Sequence, residues 1–285
     1  MKILVTGVTG QLGYDVVRRG KEKGLNMVGI SSKELDITNK PGVEKYIKNL
    51  NPDAVIHCAA YTAVDKAEDE REVCWKVNVE GTKYLAEAAK TVNAKFIYIS
   101  TDYVFDGSGE EPFEETGYPN PIGTYGKTKL EGELRVKEAL EEYFIVRISW
   151  VFGVNGNNFV KTMLKLAESR EELNVVGDQY GSPTYTFDLA DILLEMVLGE
   201  KYGIYHASNE GYCNWADFAK EIFVQSNIEM KVNAITTEEY PTKARRPLNS
   251  RMSKQRLEEN GFNLLPPWQD AVKRYLYELK SEVKL

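Results

Sequence analysis

The sequence predicts an α/β protein built on a Rossmann-type doubly wound parallel sheet, with a smaller C-terminal substrate-binding part. Short apolar runs alternate with helical stretches over the first 150 residues, which is the pattern of a parallel sheet covered on both faces. A glycine-rich turn follows directly on the first apolar run, at the place where such folds bind a dinucleotide.

The elements alternate along the chain. Strands are predicted at residues 3–5, 26–30, 54–58, 95–100, 144–148 and 174–176. Helices are predicted at residues 14–23, 67–91, 127–142 and 158–169. The helix over 67–91 has apolar residues near helical spacing, and acidic residues at its start suit a helix N-terminus. A last helix is predicted from Pro267 to about Leu279, because proline suits a first helical turn.

The regularity weakens after about residue 150, where loops interrupt shorter helices. We therefore predict a dinucleotide-binding domain over residues 1–150, to which residues 174–205 return. Residues 151–173 and 206–285 are predicted to form the substrate-binding part.

Composition excludes several classes of protein. The chain has 285 residues, of which 42% are hydrophobic and 28% charged, which is the balance of a soluble globular protein. Its net charge of −7 argues against a nucleic-acid surface. Three cysteines without a CxxC pair and two histidines predict neither a metal centre nor a redox pair. The sequence has no apolar run long enough to predict a membrane span or a signal peptide. A cytoplasmic location is therefore expected.

The glycine turn contains Gly7, Gly10 and Gly13, between the first strand and the first helix. Gly7 permits a sharp turn, and Gly10 lets the backbone approach a pyrophosphate at the helix N-terminus. Gly13 lets the helix pack close to the strand. Because the spacing occurs between a strand and a helix, it predicts a dinucleotide site.

The end of the second strand bears on the choice of cofactor. An NAD-binding chain usually places Asp or Glu there, to bind the ribose 2′-hydroxyl. This chain has Ser31-Ser32-Lys33 instead, and Lys33 is suited to pair with a 2′-phosphate. The sequence therefore favours NADP(H), with NAD(H) tolerated. Asp36 and Ile37 are placed either beside the adenine or in a plain loop.

A candidate catalytic pair lies on one predicted helix. Tyr125 and Lys129 are four residues apart and share a helix face. Asn120 and Pro121 are predicted to cap that helix, which places the tyrosine near its start. A neighbouring ammonium is expected to lower the phenol pKa and so tune a general acid and base. A solvated helix face is the alternative.

Polar residues at two strand ends complete the candidate site. Ser100 and Thr101 end one strand, where a hydroxyl can polarise a substrate oxygen beside Tyr125. Small residues at positions 59 and 60 let a cofactor lie against the backbone. His57 and Cys58 precede that edge and are expected in the core. Asn78 is expected either to bond the backbone of the site or to lie on the surface.

These features together resemble the extended short-chain dehydrogenase/reductases, which act mostly on nucleotide sugars. Among them, the chain is similar to the 4-keto-sugar nucleotide reductases that catalyse the last step in the synthesis of dTDP-L-rhamnose. The strings that carry this resemblance cover residues 58–65, 100–107, 147–153, 158–163, 178–184 and 245–250. It implies NAD(P)H-dependent reduction of the 4-keto group of dTDP-4-dehydro-L-rhamnose, a step toward cell-surface polysaccharide.

The resemblance also assigns roles to residues. Thr101, Tyr125 and Lys129 are implied to be catalytic, and the sugar nucleotide is implied to meet Thr101, Asp102, Tyr103 and Trp150, although a packed core ring is the alternative for Trp150. Together with the residue analysis, it gives one cofactor-binding set: Gly7, Gly10, Gln11, Leu12, Gly13, Ser31, Asp36, Ile37, Cys58, Ala59, Ala60, Tyr61, Asn78, Ser100, Tyr125 and Lys129.

The resemblance implies a homodimer, in which Mg²⁺ is often held by glutamates at the interface. Asp15 stands where such a glutamate is expected, and no metal ligand set is predicted from the residues themselves. Gln179 is a candidate for reading the thymidine.

Three other functions compete with the reductase. Related dehydratases have Glu where this chain has Tyr103, so the base for proton abstraction beside the ketone is missing. Epimerases share the Tyr and Lys pair, which therefore does not exclude them. A non-catalytic nucleotide-binding regulatory subunit is a third possibility, since fold alone does not imply activity, and the intact Thr101, Tyr125 and Lys129 set argues against it.

Overall fold

The computed structural model describes residues 1–282 and has a parallel sheet of six strands at its centre. The strands, in chain order, are β1 Lys2–Thr6, β2 Asn26–Ile30, β3 Ala54–His57, β4 Lys95–Thr101, β5 Tyr143–Ile148, β6 Val151–Phe152, β7 Glu172–Val176, β8 Tyr180–Gly181, β9 Thr184–Tyr185, β10 Gly203–His206, β11 Asn209–Glu210, β12 Cys213–Asn214, β13 Lys231–Ile235 and β14 Leu265–Pro267.

Eleven α-helices lie in the described residues 1–282: α1 Gln11–Glu22, α2 Lys40–Leu50, α3 Val64–Ala67, α4 Arg71–Trp75, α5 Thr82–Thr91, α6 Thr124–Ala139, α7 Phe159–Ala167, α8 Thr186–Leu198, α9 Trp215–Ser226, α10 Gln255–Glu259 and α11 Trp268–Glu282. A π-helical turn, Lys76–Gly81, joins α4 to α5. Short 3-10 turns cover Asp102–Val104 and Thr237–Glu239.

The central sheet has the order β2-β1-β3-β4-β5-β10, with every neighbouring pair parallel. Helices α1 and α8 pack on one face, and α2, α5 and α6 on the other. In β1, Ile3 and Val5 face the first layer while Leu4 faces the second, as strand alternation requires. Both faces are therefore covered, and the predicted doubly wound α/β fold is confirmed.

A second apolar core lies in the C-terminal half. It joins α7, α9 and α11 to the small parallel sheet of β7 and β13. Its aromatic members include Phe152, Phe218 and Tyr275, all buried. Within residues 1–282, no helix combines the length and the apolar character that crossing a membrane demands.

Two predicted elements differ from the structure. The strand predicted at residues 174–176 belongs to β7, which pairs with β13 and not with the central sheet. The sixth strand of the central sheet is β10, which pairs with β5. Since β7 joins the C-terminal sheet, the chain returns to the first layer only from α8 onward.

The starts of two predicted helices differ in ways that matter for the cleft. The single helix over 67–91 is broken after α3 and resumes at α4, so acidic residues 68–70 lie in the break. Helix α6 begins at Thr124, with Gly123 at its N-cap position, so Asn120 and Pro121 do not cap it. Glu68 accepts hydrogen bonds from the Thr124 N–H and hydroxyl, both at 2.8 Å, and satisfies that helix end instead.

A fully buried ion pair ties α6 to β5. Arg147 on β5 donates from Nε and Nη2 to the two carboxylate oxygens of Glu133, both at 2.8 Å. Ser100 on β4 donates to the same carboxylate at 2.6 Å. Because every atom of this pair is hidden from water, each charge depends on the other for its solvation.

Removing one partner of this pair is expected to leave a buried charge without compensation. We expect Arg147→Met to lower the free energy of unfolding by about 3–5 kcal/mol, measured by urea denaturation. Arg135→Met is the matched control, because Arg135 forms half-exposed ion pairs with Glu131 and Glu138 on the same helix, and it should change stability by less than about 0.5 kcal/mol. Equal effects of the two variants would contradict the prediction.

Candidate active site

A cleft of about 660 Å³ opens at the carboxyl ends of the central strands. It is bounded by the glycine turn, by the residues that follow β2, β3, β4 and β5, and by the start of α6. The predicted residues that line it are Gly7, Gly10, Gln11, Leu12, Gly13, Ser31, Asp36, Ile37, Cys58, Ala59, Ala60, Ser100, Thr101, Asp102, Tyr103, Tyr125, Lys129 and Trp150. One cavity thus brings together nearly the whole predicted set, at the edge where doubly wound sheets bind ligands.

The glycine turn has the geometry that its spacing predicts. Gly7 has a φ of +72°, and a Cβ there would lie 2.7 Å from the backbone nitrogen of Ala59. A Cβ on Gly13 would lie 2.5 Å from the carbonyl oxygen of Gly7. Side chains at either position would push the turn away from β3 or from α1, and so would close the approach to the helix N-terminus.

The end of β2 carries a carboxylate that the sequence analysis missed. Glu34 folds back onto Ser31 and accepts hydrogen bonds from its N–H, at 2.8 Å, and from its hydroxyl. These bonds lower the pKa of Glu34, which keeps it ionised. The expectation that the end of β2 has no carboxylate is therefore wrong, because the loop returns Glu34 to the strand end.

The end of β3 is held by a buried polar network. His57 contacts the Thr6 hydroxyl through Nδ1 at 2.8 Å and the Thr82 hydroxyl through Nε2 at 3.1 Å. Burial lowers the pKa of His57 to about 3, so its ring is neutral. His57 is thus a core residue, as predicted, while the partly buried Cys58 lines the cleft.

Two residues predicted to bind the cofactor lie outside the lining of this cleft in the described part of the chain, namely Tyr61 and Asn78. Asn78 makes the predicted bonds to backbone instead, because its Oδ1 accepts from the Tyr61 N–H at 2.8 Å. Its Nδ2 donates to the Thr128 hydroxyl of α6 at 3.0 Å. Asn78 therefore connects the loop after β3 to the helix that carries Tyr125.

Tyr125 and Thr101 meet at the inner end of the cleft. The Tyr125 phenol interacts with the Thr101 side chain, and burial and the Asp102 carboxylate raise the pKa of the phenol. The predicted lowering of this pKa is wrong, because burial outweighs the interactions that lower it. The phenol is therefore protonated at neutral pH.

Asp102 is buried beside this pair. Its Oδ1 accepts from the Thr101 hydroxyl at 2.9 Å. The Ser250 side chain also interacts with this carboxylate. Burial raises the pKa of Asp102 to about 6, against hydrogen bonds that lower it. A perturbed carboxyl beside a protonated phenol is typical of a functional site.

Lys129 lies one turn beyond Tyr125 and is buried. Its ammonium donates to the Ile99 carbonyl at 2.7 Å and lies 4.0 Å from the centre of the Tyr98 ring. Burial lowers the pKa of Lys129 to about 7, while the Glu133 carboxylate, one helical turn further, favours the charged form. Glu133 is a contributor to the site that the sequence analysis missed.

Trp150 follows β5 and lines the cleft in a strained backbone conformation. Its φ is +48°, whereas the other non-glycine residues with positive φ in the described chain are asparagines, which tolerate this region better. Its ring stacks on Trp215, with centroids 3.7 Å apart. A bulky residue held this way indicates that the position of the ring is constrained by its surroundings.

The loop after β6 also contributes to the site and was missed. Gln11 accepts from the Gly153 N–H at 2.9 Å, and Asn155 donates to the Thr9 carbonyl at 2.9 Å. Gly156 and Asn157 line the cleft beside the glycine turn. Only a dense Gly and Asn content at 153–158 marked this loop in the sequence.

The residues around Asp15 do not fit a magnesium ion. The guanidinium of Arg18 lies 2.9 Å from Asp15 and also pairs with Glu278, while Thr186 donates to Asp15. A cation of the chain itself thus occupies the space between the carboxylates. Among the described residues, no group of three or more His, Cys, Asp or Glu side chains is placed to hold a metal.

Comparison with known proteins identifies the family to which the chain belongs. Residues 1–281 match the family described as RmlD substrate binding domain. The chain belongs to this family. It is 43% identical over 287 residues to a dTDP-4-dehydrorhamnose reductase of Aggregatibacter actinomycetemcomitans, covering 95% of this chain and 97% of that one.

Solved structures of family members superpose closely on the chain. A dTDP-4-dehydrorhamnose reductase of Clostridium acetobutylicum is 45% identical, with a TM-score of 0.96 over 98% of this chain and 100% of that one. The enzyme of Bacillus anthracis, solved in complex with NADP, is 43% identical, with a TM-score of 0.95 over the same shares. The predicted resemblance is confirmed.

The lowered pKa of Lys129 makes stability depend on pH. An unfolded lysine has a pKa of about 10.4, so between pH 7 and pH 10 the unfolded chain binds more protons than the folded one. The free energy of unfolding should therefore rise across this range.

Urea denaturation at pH 7 and pH 10 measures this effect. From pH 7 to pH 10, the free energy of unfolding of the unmodified chain should rise by a few kcal/mol relative to that of Lys129→Met. The free energy of unfolding of the exposed-site control, Lys127→Met, should follow that of the unmodified chain over the same range. A difference independent of pH would show that Lys129 keeps an ordinary pKa.

Proposed function

We propose that the chain reduces the 4-keto group of dTDP-4-dehydro-L-rhamnose to dTDP-L-rhamnose with NADPH or NADH, in the synthesis of cell-surface polysaccharide. The observation that carries this proposal is the protonated Tyr125 phenol beside the Thr101 hydroxyl, at the inner end of a cleft that starts at a dinucleotide turn. The identity of the ketone is inferred from the relatives, which are dTDP-4-dehydrorhamnose reductases.

The cofactor would lie across the strand ends. The N–H groups of α1 beyond Gly10 are suited to the pyrophosphate, and Asp36 and Ile37 to the adenosine. Cys58, Ala59 and Ala60 form the floor, and Ser100 and Lys129 lie where the nicotinamide ribose would be. When bound, NAD(P)H supplies the hydride that reduces the carbonyl carbon.

The chain itself would supply the proton that the ketone oxygen receives. As hydride reaches C4, negative charge grows on the ketone oxygen, and Tyr125 would donate its phenolic proton there. The Thr101 hydroxyl has one proton, which it donates to Asp102 Oδ1, and it would turn to donate that proton in a hydrogen bond to the same ketone oxygen. The phenolate that remains would be stabilised by the ammonium of Lys129 until a proton from solvent restores the phenol. The ketone gains one hydride and one proton, and becomes an alcohol.

The sugar would be held by Asp102, Tyr103 and Trp150, on the side of the cleft away from the glycine turn. Tyr103 stands where a dehydratase carries its glutamate base, so reduction is favoured over water loss. The division into a dinucleotide-binding part and a substrate-binding part belongs to this proposal, and the weaker pattern after residue 150 supports it. A homodimer and a cytoplasmic location are also part of the proposal, and the homodimer rests on the family resemblance.

Tyr125→Phe removes only the proposed proton donor. We expect kcat to fall by about 100- to 10,000-fold, in an assay of NADPH oxidation with dTDP-4-dehydro-L-rhamnose, while NADPH binding by fluorescence stays unchanged. Tyr118→Phe is the control, because Tyr118 is 88% exposed. An active Tyr125→Phe variant would exclude Tyr125 as the donor, and product formed without net NADPH consumption would indicate an epimerase.

Glu34 lies where the 2′ position of the adenosine ribose is expected, so its charge should oppose a 2′-phosphate. We expect Glu34→Gln to raise the ratio of kcat/KM for NADPH over NADH by about tenfold. The exposed Glu44→Gln on α2 is the charge-matched control. An unchanged ratio would mean that Glu34 moves away when the cofactor binds.

A further inference from the structure

The carboxylate of Glu133 is buried between α6 and the central sheet. The side chain is hidden from water, one helical turn beyond Lys129 on the same face of the helix. It accepts from the Ser100 hydroxyl of β4 at 2.6 Å, and from two nitrogens of the Arg147 guanidinium of β5 at 2.8 Å. A charge is costly to bury, and none of the roles proposed above uses this one.

Ser100 connects this carboxylate to the cleft. The residue lines the cleft near the end of β4, and its single hydroxyl proton is directed to Glu133 Oε1. The lone pairs of the Ser100 oxygen are therefore left for a donor, and a ribose hydroxyl is a donor of that kind. Glu133 thus determines that Ser100 meets a cofactor as a hydrogen-bond acceptor.

Glu133 is also the anion that balances the ammonium of Lys129. The other titratable groups around this lysine are His57 and Cys58 at the end of β3, Cys74 of α4, Tyr98 of β4, and Tyr125 one turn earlier on α6. Burial lowers the pKa of the histidine to about 3 and raises the pKa of each thiol and each phenol. These groups are consequently neutral at pH 7, and the Arg147 cation is paired with Glu133 itself. Among the described residues that interact with the lysine, Glu133 is therefore the one that carries a negative charge.

We infer that Glu133 is a positioning residue of the proposed reduction. Its carboxylate keeps the Lys129 side chain as an ammonium one turn from Tyr125, and it holds the Ser100 hydroxyl with its oxygen toward the cofactor ribose. The inference rests on the proposed function, in which the ammonium stabilises the phenolate that remains after Tyr125 has given up its proton. Without Glu133, burial would neutralise Lys129 at a lower pH, and the phenolate would lose its counter-ion.

The interaction between Glu133 and Lys129 is measurable without any ligand. The contribution of Lys129 is the difference in the free energy of unfolding between a chain with Lys129 and the same chain with Lys129→Met, followed by urea denaturation from pH 5 to pH 10. Otherwise unmodified, the chain should show this difference rising from about pH 7 upward, because the pKa of Lys129 is about 7. On the background of Glu133→Gln, the rise should begin about one pH unit lower.

Turnover should change in the same direction. In the assay of NADPH oxidation with dTDP-4-dehydro-L-rhamnose, kcat should fall at alkaline pH as Lys129 loses its proton. Glu133→Gln should move the midpoint of this fall to lower pH by about one pH unit.

Two control variants separate charge from packing. Arg147→Lys keeps both charges but loses the two-point bond to Glu133, so the midpoint of the fall in kcat should stay where the unmodified chain has it. Glu131→Gln removes a half-exposed carboxylate of the same helix, and it should leave both pH dependences unchanged.

A second variant keeps the test available if Glu133→Gln does not fold. The single substitution leaves the Arg147 guanidinium buried without its carboxylate, which is strongly destabilising. Glu133→Gln/Arg147→Met removes both charges, and Lys129 still loses its carboxylate. The same displacement to lower pH is therefore expected in both measurements.

Three outcomes would overturn the inference. If neither pH dependence moves when Glu133 is replaced, Glu133 is only a structural partner of Arg147. If the unfolding measurement moves and kcat does not, the charge of Lys129 does not govern the reaction. If Arg147→Lys moves the midpoint as far as Glu133→Gln does, packing and not charge is responsible. Failure of the proposed function is separate, because the unmodified chain would then not turn over the ketosugar, whatever the unfolding measurement shows.

Discussion

The bond between Lys129 and the Ile99 carbonyl, and the ion pair of Glu133 with Arg147 one turn further, fix helix α6 against β4 and β5. These contacts determine which face of the helix meets the cleft. They also place Thr101, the last residue of β4, opposite Tyr125. A cleft formed at strand ends has no regular structure above it, so its precision depends on how tightly this helix is attached to the sheet below.

The same attachment has an electrostatic cost. Burial disfavours both the lysine ammonium and the tyrosine phenolate. Glu133 offsets part of this cost for Lys129, and it is itself balanced by Arg147. The chain therefore keeps a buried charge one helical turn from a neutral phenol that is only partly exposed, which limits the water that would compete for the hydrogen bonds of a reacting ketone.

Much of the fold followed from local patterns. The strands of the first half are buried on both faces, so their apolar runs stand out, and the glycine turn fixed where the dinucleotide site begins. Strand β10 was missed because Gly203 and His206 interrupt its apolar character. Strand β7 was recognised as a strand but assigned to the wrong sheet, since periodicity does not say which neighbour a strand pairs with.

The site was predictable where its residues lie on regular elements and less so where loops return to it. Tyr125, Lys129 and Thr101 are marked by their spacing and their strand end. Glu34 folds back onto Ser31, three residues earlier, and Glu68 reaches the distant residue Thr124. Neither contact follows from a periodic pattern in the sequence. The direction of the Tyr125 pKa also required the structure, because burial is a property of the whole fold.

The stacking of Trp150 on Trp215 joins the wall of the cleft to the apolar core of the C-terminal half. Trp215 does not line the cleft in the described chain, yet the Trp150 indole, which does, stacks on it. Substitutions at residues that never touch a ligand could therefore change the substrate range. Evolution or engineering of a related activity would be expected to repack this aromatic layer before altering Tyr125, the proposed acid.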